Sequence, residues 1–413
     1  MSFPSGALST LRHMPRFPNF SVAALLLGTA ASFAMPYLPL FGRNEAHMSP
    51  LALGVFMTLL SLGGILISTG LARWSDRRAN NKRLVLLAVT AAALGFVSLS
   101  VTRSYVPLVL IACLCLGTGT SAFPQLFAFA RREFGAAGPE AAERGMITLR
   151  SMFSLAWMLG PAVAAVILAA SGFTGLFLAT AAFYLAVGLP LLLIRSRTAG
   201  QTPTPAAATT PGGPARRPLA LVALSFVLYG VSNNMGFIAL PLHVTDGLHA
   251  PESTVGFLVG LCAFLEIPFI LSFALFSRRF SNERLITLSF ALFVLYFLLM
   301  AFAPAVWLLA VAQLVRAAVI AVTTTLGMAY FQELMPGRTG TALTLYTNTN
   351  SVGAVLSGIV SGAFAQAFGY QAVFLLCAAL TGAAFVLLGA VTLRRPGRGA
   401  TSAERQAAGA SGS

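Results

Sequence analysis

Apolar residues gather along this chain in twelve stretches, each about as long as a bilayer is thick, parted by short breaks rich in charge, proline or glycine. A helix rises about 1.5 Å per residue, so about 20 residues cross a hydrocarbon core of about 30 Å. The pattern predicts spans over 19–41, 51–72, 84–101, 105–130, 147–169 and 172–194. Six more follow over 219–243, 251–276, 285–303, 305–331, 341–366 and 370–394. With 57% hydrophobic residues and only 9% charged ones, no water-soluble core could shelter so much apolar surface. The expected fold class is an all-α membrane protein with twelve transmembrane helices.

Between the sixth and seventh spans, TAGQTPTPAAATTPGGP (198–214) has no apolar period and reads as a tether. The expected organisation is therefore a six-helix bundle over 1–194, a flexible cytoplasmic linker over 195–217 and a second six-helix bundle over 218–395. A disordered tail over 396–413 follows, its composition unable to build a core. The halves echo one another. RRANNKRL (77–84) and RRFSNERL (278–285) both join the second span of a half to the third, which argues for duplicated bundles.

The formal charge of +15 would suggest nucleic acid in a soluble protein, but here its placement decides. Basic residues crowd alternate breaks: Arg73, Arg77, Arg78, Lys82 and Arg83, then Arg131, Arg132 and Arg144, then Arg195, Arg197, Arg216 and Arg217, then Arg278, Arg279 and Arg284. The intervening breaks hold only Arg43 and Arg103. That bias places both termini and the linker in the cytoplasm and leaves no nucleic-acid partner to expect. The first apolar run is too long for a signal peptide and reads as a retained span. Cys113, Cys115, Cys262 and Cys377 all fall within spans without metal-ligand spacing, so neither a disulfide framework nor a metal is expected. No H-E-x-x-H, P-loop or paired membrane carboxylates supply an enzyme's acid/base set.

GLARWSDRRANNKRL, with Asp76 ahead of a basic cluster, resembles the second-to-third-helix signature of the major facilitator superfamily. PQLFAFARRE (124–133), R-x-x-x-SLAWMLGP (150–161), LEIP (265–268) and FQELMPGRTGTALTLYTN (331–348) are similar to its bacterial sugar efflux transporters. The resemblance implies proton-linked export of sugars and small glycosides across the bacterial inner membrane. The chain departs from the commoner loop signature at Arg78 and Ala79, and carries Arg316 where an uncharged polar residue is expected in span ten. Sugar, protons and the lipid bilayer are the expected partners of a monomer without cofactor. Export of drugs, amino acids or other metabolites is the alternative.

Polar groups inside spans are costly, and so point to function. Glu266 is the one acid well inside a span and the candidate proton carrier; a permanent ion pair is its structural alternative. Arg316 lies at a similar expected depth, with Gln313 three residues before it and Thr323 seven after, a stripe expected to face a central cavity. Amides and an aromatic ring suit a pyranose, which marks Asn233 and Asn234 in span seven and Tyr346, Asn348 and Asn350 in span eleven. Bonds between helices are the competing use for each. In the first half the candidates are Gln125, Arg150 and Trp157, with snorkelling to the interface as the alternative for Arg150. Asp76, Arg77 and Arg83 read as a conformational latch at the cytoplasmic face.

Overall fold

The computed structural model of the protein describes residues 16–78, 81–194, 217–276 and 281–393, and every regular element among them is helical. The helices are α1 (Phe17–Ala34, resumed over Leu38–Asn44), α2 (Pro50–Arg78), α3 (Asn81–Val101) and α4 (Tyr105–Gly135). Then come a rod over Pro139–Leu192, α7 (Arg217–Leu242), α8 (Ser253–Phe276), α9 (Asn282–Phe302), α10 (Val306–Leu334) and a second rod over Thr339–Leu393. The proposed tether, the tail, the centre of the first echoed loop and the start of the second lie outside the described residues.

Ten of these segments are long and apolar enough to cross a membrane. The two rods run to 54 and 55 residues, about 80 Å if straight, more than twice the hydrocarbon thickness. Each turns back at a glycine: Gly172 (φ 64°, ψ −170°) and Gly369 (φ 82°, ψ 167°) hold backbone that a side chain would strain. Divided there, the rods give α5 (139–171) and α6 (173–192), and α11 (339–368) and α12 (370–393). The result is twelve segments, consistent with the hydropathy count.

The backbone repeats itself between halves more clearly than the sequence does. Gly172 and Gly369 both sit at the fifth-to-sixth turn of their half. His47 and His249 both take positive φ, 48° and 50°, in the first-to-second turn. Each half has its own aromatic core: Phe20, Phe129 and Phe134 pack edge to face in the first, and Tyr229, Phe290, Phe293 and Tyr296 pack ring on ring in the second. Large apolar side chains such as Leu66, Val166 and Phe302 stay exposed, as a lipid-facing belt requires.

Two seams join the halves, α2 against α11 and α5 against α8. Their tightest points lie toward the end away from the termini, here called the distal end. A Cβ placed on Gly54 would stand 2.8 Å from the Cα of Gly362, and one on Gly260 3.0 Å from the Met158 carbonyl oxygen. Polar contacts reinforce that end: Asn44 Nδ2 donates to Glu252 Oε1 at 3.0 Å, and Arg43 Nε lies 3.6 Å from Asp246 Oδ2.

Candidate functional site: a polar groove between the halves

Below the distal closure, an open groove of about 510 Å³ lies between the halves. From α2 and α4 come Ser61, Ser68 and Thr120; from α7 and α11 come Asn233, Asn234, Asn350 and Ser351. The helical period explains the α2 contribution. Thr58, Ser61, Ile65 and Ser68 fall on one face, and two glycines let α4 approach that helix closely. A Cβ on Gly63 would meet the Cys113 carbonyl oxygen at 2.8 Å, and one on Gly64 would meet Thr120 Oγ1 at 2.9 Å. At this contact α4 widens into a π-helical turn, Ala112–Leu116.

The amides are only partly committed. Asn234 Nδ2 donates to the Gly230 carbonyl at 2.8 Å, whereas Asn233 Oδ1 has no hydrogen-bond partner. Asn350 is exposed, and its Nδ2 reaches the Tyr346 carbonyl only at 3.5 Å. Hydroxyls and amides lining one groove match a ligand that both donates and accepts. The volume falls within the range of about 300–1,000 Å³ usual for small-molecule sites. A crevice of about 530 Å³ between α5 and α8 differs in character, being lined chiefly by alanines, Val166 and Phe257.

The second half also holds the two charged residues expected inside spans. Arg316 on α10 is 6% exposed, its Cζ 5.7 Å from the Phe237 ring centre and 6.0 Å from that of Tyr296. Glu266 on α8 is half-buried and lies within electrostatic reach of both Arg316 and Arg150. No salt bridge joins Glu266 to either arginine among the described residues. Ring faces offset a guanidinium by about 0.5–2 kcal/mol, while removing a charge from water costs several kcal/mol. The acid therefore interacts with the two bases through space, without a direct pair.

Several expected residues stand elsewhere. Gln313 is fully buried, with Nε2 donating to the Leu309 carbonyl at 3.2 Å and lying 3.9 Å from Met300 Sδ, inside the second half's core. Gln125 is buried and lines a separate pocket of about 460 Å³ with Asn81, Arg131 and Arg132. Tyr346 gives its hydroxyl to the Thr323 carbonyl at 3.2 Å, and Tyr229 shares a 2.7 Å hydrogen bond with Thr323 Oγ1, so Thr323 ties α7, α10 and α11 together. Trp157 is half-buried with Nε1 unpartnered, Arg150 and Asn348 are exposed, and Arg83 is exposed. The side chains of Asp76 and Arg77 fall outside the described residues. Ser61, Ser68 and Thr120 complete the groove without standing out in the sequence, where serine and threonine within a span ordinarily bond their own helix.

The sequence profile of the Major Facilitator Superfamily matches residues 2–138 and 222–411. A "Putative sugar efflux transporter" of Deinococcus radiodurans is 46% identical over 388 residues, covering 93% of this chain and 99% of its own length. "Sugar efflux transporter A" of Dickeya chrysanthemi is 32% identical over 92% of this chain and 97% of its own. The chain belongs to the sugar efflux transporter family of the major facilitator superfamily. Its fold agrees with membership. The nucleoside transporter NupG superposes with a TM-score of 0.78 at 15% identity, over 92% of this chain and 100% of that one. A bacterial homologue of the iron transporter ferroportin, in an inward-facing state, superposes at 0.73 and 17% identity, over 92% and 100%. As a facilitator, the protein is a multi-pass membrane transporter and not an enzyme, and its two six-helix bundles flank the groove.

Proposed function

We propose that this family member exports sugars or small glycosides from the cytoplasm by proton antiport, alternating the side on which the groove opens. One observation carries the substrate reading: serine, threonine and asparagine from both halves converge on one groove whose amide groups are incompletely satisfied. A pyranose presents hydroxyls that complete such a set. The names of the relatives point the same way.

Glu266 is the proton-coupling group in this reading. Ionised, it accepts hydrogen bonds from substrate hydroxyls; a proton arriving from outside removes that acceptor and releases the sugar outward. Loss of the proton inside resets the site. Arg316 and Arg150 add a field that shifts with each step. One proton crossing about 100 mV supplies about 2.3 kcal/mol and each pH unit about 1.4 kcal/mol, enough together for a sugar gradient of several hundredfold. Asp76, Arg77 and Arg83 are assigned to a latch at the cytoplasmic end, with 1–194 and 218–395 as the moving halves. Both termini lie in the cytoplasm of an inner-membrane monomer, and the distal closure then faces outward.

Reconstitution in vesicles tests this. Labelled glucose, lactose, a thiogalactoside and a hydrophobic drug are compared under an imposed pH gradient. Sugar movement that follows the gradient, and collapses at least tenfold in Glu266→Gln while binding survives, is the expected result. Movement of the drug alone overturns the substrate reading, and a pH-driven Glu266→Gln overturns the proton role.

A further inference from the structure

At the α2–α11 seam, one half reaches into the backbone of the other. Thr58 Oγ1 on α2 accepts a hydrogen bond from the Ile359 amide at 2.8 Å and donates one to the Val355 carbonyl at 3.1 Å. Ile359 and Val355 stand four residues apart on α11, so these are the two groups that an unbroken α-helix pairs with each other. A hydroxyl inserted at one rung of the ladder is a recognised cause of helix bending. Its neighbours make the approach possible. A Cβ on Gly358 would lie 2.6 Å from the Thr58 amide nitrogen, and one on Gly362 2.7 Å from the Gly54 Cα, so only bare backbone fits here.

We propose that Thr58 is a reversible clasp of the distal closure, exchanging its two backbone partners on α11 for water when the halves part. The geometry gives α11 two self-consistent arrangements. In the closed state Ile359 and Val355 both take the threonine hydroxyl; once α2 withdraws, they pair with each other and leave no backbone group unsatisfied. Opening is thus spared the larger cost of leaving backbone groups unsatisfied, and gives up only the net worth of the two threonine bonds. Such an element can be biased by a single hydroxyl. Ser61, one turn further along the same face, lines the groove. Occupancy of the groove and release of the clasp therefore act on one helix.

The inference rests on alternation of access, and the test separates the two. Cysteines replace Ala46 and Leu248 in the distal turns of the two halves, on a background lacking Cys113, Cys115, Cys262 and Cys377, and carry spin labels in lipid nanodiscs. Thr58→Val, equal in shape but without the hydroxyl, is expected to raise the ratio of long to short distances about fivefold or more. Thr58→Ser is expected to stay with the parent. Thr58→Ala is a second hydroxyl-free form, and a thermal melt confirms that each variant is folded. A Val variant matching the parent, or a Ser variant matching Val, overturns the clasp. If bulky Gly54→Leu lengthens the distance while Thr58→Val does not, alternation stands and the clasp falls. If no variant shows a second distance, both fall.

Discussion

The two seams of the distal closure occupy equivalent places in the duplicated fold, yet they are fastened differently. Counting on from His47 and from His249, Gly54 corresponds to Gly256 and Thr58 to Gly260. Counting back from Gly369 and from Gly172, Gly358 corresponds to Pro161 and Val355 to Met158. The shared part is a glycine pressed against a carbonyl of the other half, Gly54 on Gly358 and Gly256 on Pro161. The fastening is not shared. On α2 a threonine hydroxyl enters the facing helix, whereas Gly260 brings only its backbone to the Met158 carbonyl. There the hydroxyl of Tyr37 on α1 donates to the Pro161 carbonyl at 2.9 Å, a bond within the first half, and stands close against Gly256 of the second. Close approach is thus common to both seams, and the hydroxyls set at them, Thr58 and Tyr37, both come from the first half, but only Thr58 bonds across.

The largest effect should come from spoiling what the seams share. Gly54→Leu and Gly256→Leu each place atoms where the opposing helix already stands. Overpacking of this kind costs about 1–3 kcal/mol, which moves a closed-to-open ratio about fivefold to more than a hundredfold. Both variants should trap the distal end open and stop sugar export. Spin-label distances between the 44–50 and 246–252 turns, with vesicle transport, check this. Equal opening in both would establish the two glycines as equivalents; an effect at only one would break the symmetry just drawn.

A smaller effect should come from Tyr37, which bonds within the first half and only touches the second at Gly256. Tyr37→Phe removes one hydroxyl bond, worth about 0.5–1.5 kcal/mol, and leaves the ring in place. It should open the distal end about threefold at most, because the lost bond lies within the first half. It should also add to Thr58→Val within a few tenths of a kcal/mol, because the two sit on separate seams without shared partners. A double variant that opens much more or much less than the singles predict would mean that the seams release together.

Much of this was legible from the sequence, and the missing part has a physical reason. Hydropathy located the twelve segments because a bilayer of fixed thickness demands runs of fixed length. It also separated α5 from α6 and α11 from α12 close to the glycine turns at Gly172 and Gly369, which continuous hydrogen bonding nearly conceals. The single acid Glu266 stood out because intramembrane carboxylates are rare. Thr58, Ser61 and Ser68 did not, since serine and threonine ordinarily bond their own helix and leave no trace in composition. Gln313 and Gln125 show the converse. Each is polar within a span, yet one turns into its own bundle and the other toward a different pocket, choices fixed by packing and not by spacing.

The least effect belongs to the loop pair that caps the seams, and its sign can be worked out. Glu252 lies just before α8, half-buried; burial raises its pKa above the usual carboxylate range, the Asn44 hydrogen bond opposes this and the charge of Glu45 adds to it. Opening the distal end returns Glu252 to water and to an ordinary value of about 4.3. The closed state therefore holds its proton to higher pH than the open one. As pH rises from the ordinary carboxylate range through the raised value, closure loses stability, and acid outside favours it. Glu252→Gln mimics the protonated form and should keep the closed fraction nearly constant across that window. A spin-label titration from acid to neutral pH reads the difference, which should be under about twofold because Arg43–Asp246 persists beside it. If the Gln variant kept the same pH slope as its parent, the sensitivity would have to reside in the groove itself and not in the loops that close over it.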